Sequence, residues 1–243
     1  MLTKAQGKYI RSLSTTEGRR AAGAFVVEGP KLVAEWLAHD PGAVSALYAT
    51  DRWAAPEGDE NFSGEMHRLR DSELAGVSQL RTPPSVLAVC RLPGASPPLP
   101  GGWTLACETV QDPGNLGTIL RIADWYGVGQ VVCSEGTADF FNPKVVQAGM
   151  GAHLRVHMAV VSLSEFLQSS SLPVFAATLA GRNIYDTLPQ KEGILLIGNE
   201  SKGLSAATLC YASQQVTIPR RGGAESLNAA VATGILCDRL MAL

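Results

Sequence analysis

No apolar run in this 243-residue chain approaches the roughly 20 residues that a membrane-spanning helix needs. The polar start MLTKAQGKYIR also lacks the apolar centre of a secretion signal. Together these absences give the expectation of a cytoplasmic protein. Cysteine is scarce: five residues, at positions 90, 107, 133, 210 and 237, with no CxxC pair and mostly apolar neighbours, read as reduced core residues. The four histidines, at 39, 67, 153 and 157, have no metal-ligand spacing. His153 and His157 are four apart, but in a strand-like segment, so no metal site is expected. There is no phosphate-gripping P-loop. The pair Gly127 and Gly129 in YGVGQVV follows a helical segment and precedes a strand, the reverse of a dinucleotide fingerprint.

A net charge of −2 is far from the strongly basic balance of a typical nucleic-acid-binding domain. The charge is uneven, however. Residues 1 to 31 carry Lys4, Lys8, Arg11, Arg19, Arg20 and Lys31 against Glu17 and Glu28, six positive and two negative. That segment is either a solvated helix and loop or a contact for RNA phosphates. Hydrophobic residues at 46% and charged residues at 17% suit a folded enzyme with buried parallel sheet.

The stretch LPGASPPLPGG, with four prolines and three glycines, reads as a linker. It divides the chain into 1–92, linker 93–102, and 103–243. Before it, AFVVE, AVSALYA, EMHRL and SVLAVC read as strands, with helices over 31–38 and near 71–79. After it, WTLACE, QVVC, LRVHMA (154–159), PVFAA (173–177), GILLIG and QVTI alternate with helical segments at 116–126, 142–149, 162–169, about 204–212 and 227–241. Near-continuous apolar strands alternating with helices indicate α/β architecture, a parallel sheet covered on both faces.

Three polar stretches interrupt this pattern. In ETVQDPGNLGTILRIADWYGV a strand end leads through Pro-Gly into a helix that Asn115 is placed to cap, with Gly117 and Arg121 on one face. In ILLIGNESKGLS four apolar residues lead into Gly-Asn-Glu, at the strand end where open α/β sheets bind ligands. In IPRRGGAESLNAA, Asn228 opens an otherwise apolar helix, where a buried amide without a partner costs roughly 1–3 kcal/mol. Ser226 and Asn228, two apart, cannot share a helical face. Ser226 is therefore expected at the helix entrance and Asn228 pointing from the first turn.

In this order, N-x-G-x-x-x-R, G-N-E-x-x-G and S-L-N closely resemble the signature motifs of the SpoU/TrmH family of RNA ribose methyltransferases. The resemblance covers essentially all of 103–243. More loosely, YIRSL and GRRAAGAFVVEGPKLV resemble the family's appended substrate-binding domain of the L30e type. The resemblance implies an α/β catalytic domain with a trefoil knot, an S-adenosylmethionine cofactor and a homodimer. It places the cofactor against Thr178, Leu179, Gly198, Glu200, Ile218 and Leu227, mostly through backbone groups. Arg121 would bind a phosphate and stabilise the developing alkoxide, since a guanidinium stays protonated. Asn115 would orient Arg121 or the ribose, and Glu200, Ser226 and Asn228 would position loops and substrate. Arg11, Arg19, Arg20 and Lys31 are the expected RNA contacts. Ribosomal RNA of the 23S type is the first expectation and transfer RNA the second. A non-catalytic RNA-binding relative and a base methylase are the alternatives, against which the full set of motif polar residues argues.

Overall fold

AFVVE, four apolar residues in a row and a glutamate, begins the first of two sheets. In the computed structural model, which describes residues 1–54 and 62–241, this segment is β1 (Ala24–Glu28). Ala242 and Leu243, the end of the apolar C-terminal stretch, lie outside the described residues. With β2 (Val44–Ala49), β3 (Glu65–Arg68) and β4 (Val86–Arg91), it forms a sheet of order β1-β4-β2-β3. Only β2 and β3 run parallel. Phe25 and Val27 face one apolar cluster with Leu32, Val33 and Trp36, while Ala24 and Val26 face another with Ile10, Leu13 and Leu74. The period of two thus puts helices on both faces. The first cluster is covered by α3 (Pro30–His39), the second by α1 (Lys4–Ser12) and α4 (Asp71–Ala75).

The basic start is more ordered than a solvated loop. Thr3 and Gln6 close a capping box at the head of α1. A tight turn then leads into α2 (Thr16–Ala22), which ends at Gly23 with φ 59°, a left-handed value that glycine adopts without strain. Arg19 sits inside this turn at 1% exposure, donating from Nη1 to the carbonyls of Leu13 and Ser14 and from Nη2 to Thr16 Oγ1. The expectation that Arg19 contacts RNA is therefore corrected. Its charge satisfies carbonyls that the turn leaves without backbone partners, and it is not accessible to a phosphate.

The chain groups into two compact units, Met1–Gly94 with Phe141–Leu154, and Ala95–Phe140 with the chain from Arg155 onward. The first break, between Gly94 and Ala95, falls within the Pro- and Gly-rich stretch, and residues 141–154 group with the first unit. The Phe141 ring lies 4.7 Å from that of Phe25, and Val146, on helix Pro143–Gly149 (α6 in chain order), joins the apolar cluster of β1 and α3. Left-handed Met150 and Gly151 then turn the chain into a short 3-10 turn holding His153, so the strand expected from residue 154 begins at His157.

The second unit holds six parallel strands: β5 (Trp103–Cys107), β6 (Gln130–Ser134), β7 (His157–Val161), β8 (Val174–Asn183), β9 (Gly193–Ile197) and β10 (Gln214–Thr217). Their order is β10-β8-β9-β5-β6-β7. Ala106, Val132, Ile194 and Leu196 build the core on one face with α7 (Leu163–Ser169), while Leu105 and Cys107, of opposite parity, are equally buried. On the carboxyl side of β5, α5 (Pro113–Trp125) packs against α9 (Ala229–Leu240). After β5 the chain moves outward to β6 and β7, then crosses to fill the other side. The strand order thus reverses between β5 and β9, and a crevice at the carboxyl ends of those two strands is where such sheets take ligands.

β8 is longer than the expected 173–177 because it pairs with β10 twice. Gln215 pairs with Ala176 and its neighbour Val216 with Arg182, so residues 177–181 form a bulge within β8 that has no register partner on β10. A Cβ on Gly181 would lie 2.5 Å from the carbonyl carbon of Gln215, so only glycine closes the neck of that bulge.

Candidate functional site

Three segments meet at the switch point. The first leaves β5. Asp112 Oδ1 accepts the backbone N–H of Asn115 at 2.8 Å, and Pro113 occupies the first helical position, so Asp112 rather than Asn115 caps α5. Asn115 stands in the first turn with 9% exposure, its amide free to reach sideways. The second segment leaves β9. A Cβ on Gly198 would lie 2.4 Å from the carbonyl carbon of Gly203 and from the nitrogen of Leu204, so the loop can fold back only over glycine. Asn199 holds that fold, accepting the Ser201 and Lys202 N–H groups and donating from Nδ2 to the Thr109 carbonyl at 2.8 Å.

Glu200 links the two segments. Its Oε1 accepts Asn115 Nδ2 at 2.9 Å and the Asp112 N–H at 3.3 Å, and its Oε2 accepts the Gln111 N–H at 3.3 Å. Partial desolvation pushes its pKa up, but bonds from Asn115 and from backbone N–H groups, including those of Gln111 and Asp112, outweigh it and leave the pKa lowered. Glu200 is therefore an anion at neutral pH that organises donors, unsuited to giving or taking a proton there.

The third segment enters α9. Asn228 is the N-cap of that helix, not a residue of its first turn. Its Oδ1 accepts the N–H groups of Ala230 and Val231, and its Nδ2 donates to Asn115 Oδ1 at 2.7 Å. A directed chain results, Asn228 to Asn115 to Glu200, in which each amide presents its oxygen to one neighbour and its NH2 to the next. Asn228 is largely exposed as a residue. What explains a polar side chain at the head of an apolar helix is that both ends of its amide are engaged.

The other expected residues are placed as follows. Arg121 is exposed on α5 and makes no side-chain hydrogen bond or ion pair among the described residues; Asn115 is bonded to Glu200 and Asn228 instead of orienting it. Ser226 is exposed in the loop before Asn228, without a side-chain bond among the described residues. Thr178 and Leu179 lie in the bulge of β8, two and three residues beyond Ala176, whose partner Leu196 stands two residues before Gly198. Thr178 Oγ1 is buried with no hydrogen-bond partner, while Leu179 is 77% exposed and Leu227 48%. Ile218, half-buried, follows β10. An orphaned hydroxyl, a glycine open to close approach and uncovered apolar side chains at adjacent strand ends fit a ligand with both polar and apolar parts. In the first unit, Arg11, Arg20 and Lys31 are exposed, Arg11 donating to the Gly76 carbonyl at 3.3 Å.

Two residues of the site escape sequence reading. Glu108, the last residue of WTLACE, accepts Ser205 N–H at 2.8 Å and the hydroxyls of Ser205 and Thr208, each at 2.7 Å, fixing the start of the single-turn helix α8 (Ala206–Leu209). Asn199 was visible only as part of Gly-Asn-Glu. A carboxylate at a strand end was the one signal for Glu108, and its partners are about a hundred residues away.

Comparison with known proteins adds the following. The SpoU rRNA Methylase family model matches residues 102–238, and a model described as MRM3-like substrate binding domain matches 4–88. The 23S rRNA (guanosine(2553)-2'-O)-methyltransferase RlmP of Bacillus subtilis is 34% identical over 237 residues, covering 96% of this chain and 94% of its own. A solved TrmH-family protein from Porphyromonas gingivalis superposes with a TM-score of 0.87 at 38% identity, covering 99% of this chain and 98% of its own. An AdoMet-bound rRNA methyltransferase from Sinorhizobium meliloti has a TM-score of 0.86 at 29% identity, over 98% and 95%. With its catalytic-half motifs joined in one hydrogen-bonded chain and a family match across more than half its length, this chain belongs to the SpoU rRNA methylase family.

Proposed function

We propose that the protein is an S-adenosylmethionine-dependent RNA 2'-O-ribose methyltransferase acting on large-subunit ribosomal RNA. The observation that carries this reading is the chain Asn228–Asn115–Glu200, which draws three strand-end loops into one site at the sheet's switch point. Bound S-adenosylmethionine supplies a methyl group activated by its sulfonium. The protein's own residues do the rest. Gly198 admits the ligand close to backbone, Thr178 Oγ1 offers a buried polar atom in need of a partner, and Leu179, Ile218 and Leu227 supply apolar cover. Glu200, ionised and held by three donors from the β5–α5 segment, keeps the loops in register and leaves proton transfer to another group. Arg121, unengaged within the chain, binds the phosphate next to the target ribose and stabilises the alkoxide as the 2'-hydroxyl loses its proton. Ser226 stands beside that ribose.

Arg11, Arg20 and Lys31 on the first unit contact RNA phosphates elsewhere. The enzyme works as a homodimer in the cytoplasm. Support for the dimer comes from exposed apolar side chains on and near α9, Val231 on the helix and Leu188 just ahead of Gln190, which bonds to Leu240. No helix among the described residues is long and apolar enough to cross a membrane. The trefoil knot belongs to the same reading, supported by the excursion of residues 177–181 between two pairings with β10.

The deciding experiment incubates the pure protein with radiolabelled S-adenosylmethionine and unmodified large-subunit ribosomal RNA, then maps 2'-O-methyl sites. One labelled ribose is expected. Label confined to transfer RNA moves the substrate to the second expectation, and cofactor binding without transfer to either RNA refutes the reading.

A further inference from the structure

The catalytic unit carries charge that its own fold does not use. The loops leaving β5, β9 and β10 contain four carboxylates, Glu108, Asp112, Glu200 and Glu225, and three cations, Lys202, Arg220 and Arg221, while Arg121 stands on α5, which follows the first loop. The two signs are deployed differently. Glu108 accepts three hydrogen bonds, Glu200 accepts three, and Asp112 caps α5, leaving Glu225 as the carboxylate without a side-chain bond among the described residues. Lys202, Arg221 and Arg121 are exposed and make no side-chain bond or ion pair among the described residues, and Arg220 makes one weak bond, from Nη1 to the Ala224 carbonyl at 3.3 Å. Three of the four carboxylates are therefore spent on N–H and hydroxyl groups of the protein itself. The cations are turned outward with their donors unspent.

Lys202 lies in the folded-back loop held by Asn199, two residues from Glu200. Arg220 and Arg221 precede Gly222 and Gly223 in the loop that ends at Asn228. Because all six strands are parallel, both loops leave the same edge of the sheet, the edge from which α5 and Arg121 also depart. We infer that Lys202, Arg220 and Arg221 form a phosphate-binding rim, which grips the RNA backbone on either side of the nucleotide held at Arg121. The inference rests on the proposed RNA substrate. It adds a second anchoring surface, on the catalytic unit, to the one proposed on the first unit. A phosphate approaching this edge meets guanidinium and ammonium donors whose hydrogen bonds are unspent, with Glu225 the one carboxylate in these loops that is likewise unbonded among the described residues, and two arginines offer the planar fork that suits phosphate oxygens.

The test measures the affinity of in-vitro-transcribed large-subunit ribosomal RNA against salt concentration for the wild type, Lys202→Gln, Arg220→Gln with Arg221→Gln, and the triple variant. Each lost phosphate contact lowers the slope of log K on log salt by about 0.7–0.9, so the triple variant should lose about two units. Calorimetry should give every variant the wild-type affinity for S-adenosylmethionine, as a rim outside the cofactor pocket requires. An unchanged slope in the triple variant, with methyl transfer intact in the wild type, overturns the rim. A reduced slope in a protein whose wild type transfers no methyl to RNA leaves the rim standing and overturns the proposed activity instead.

Discussion

Asn228 performs two tasks that different replacements separate. As N-cap of α9 it accepts two helix N–H groups, and as the first member of the amide chain it donates to Asn115. Serine caps as well as asparagine does, but its hydroxyl is too short to reach Asn115; alanine does neither. Asn228→Ser should therefore lose one partly buried hydrogen bond, about 1 kcal/mol. Asn228→Ala should lose a further increment of about 1 kcal/mol for the cap. For a chain of this size each kcal/mol lowers the unfolding midpoint by about 2–4 °C. Serine should thus fall by about 3 °C and alanine by about twice that. Cofactor affinity should follow a different order. If the amide chain, and not the helix cap, shapes the pocket, both variants lose affinity for S-adenosylmethionine by a similar factor, about tenfold for a pocket misaligned by the loss of one such bond. Thermal unfolding and calorimetric titration on the same preparations read both quantities. Wild-type affinity in Asn228→Ser alongside weak binding in Asn228→Ala would show that the cap sets the pocket, and the reasoning from the amide chain would fail.

Arg121→Ala should leave cofactor affinity within about twofold of wild type and lower single-turnover methyl transfer by about 10²-fold or more, since its charge is needed mainly in the transition state; abolished cofactor binding would contradict that role. Arg19→Ala should destabilise the protein by about 2–3 kcal/mol, through carbonyls left without their charged donor, whereas exposed Arg20→Ala should leave unfolding unchanged and weaken RNA binding; equal midpoints for the two variants would refute the distinction. Glu73 accepts the N–H groups of Arg70 and Leu2, which hold its carboxyl well down, to about 2. A carboxyl lowered in the folded state lends stability that is complete above its unfolded pKa and is lost as pH falls through the folded one. Glu73→Gln should accordingly flatten the acid limb of the stability profile between about pH 4.5 and 2, which acid titration followed by circular dichroism would reveal. Equilibrium sedimentation at micromolar concentration should return a dimer, and a monomer would leave the uncovered apolar side chains around α9 unexplained.

Local pattern carried much of this protein. The short apolar runs of AFVVE, SVLAVC, GILLIG and QVVC each rest on interactions within a few residues, so strands β1, β4, β6 and β9 were legible in the sequence alone. The three polar motifs were legible too, because a polar residue in an apolar setting stands out wherever it lies. Tertiary structure decided what those residues do. Asn115 reads locally as a cap, yet Asp112 takes that place once Pro113 starts the helix, and the Asn115 amide turns to partners 85 and 113 residues away. Arg19 reads as one more surface cation in a basic segment, and becomes a buried strut because the α1–α2 turn presents carbonyls that only a long charged donor can satisfy. Residues 141–154 read as part of the second half, and join the first because Phe141 and Val146 find apolar cover beside Phe25. In each case the deciding partner is distant in sequence, and hydrogen-bond direction and burial are properties of the folded pair that neither residue's neighbours encode.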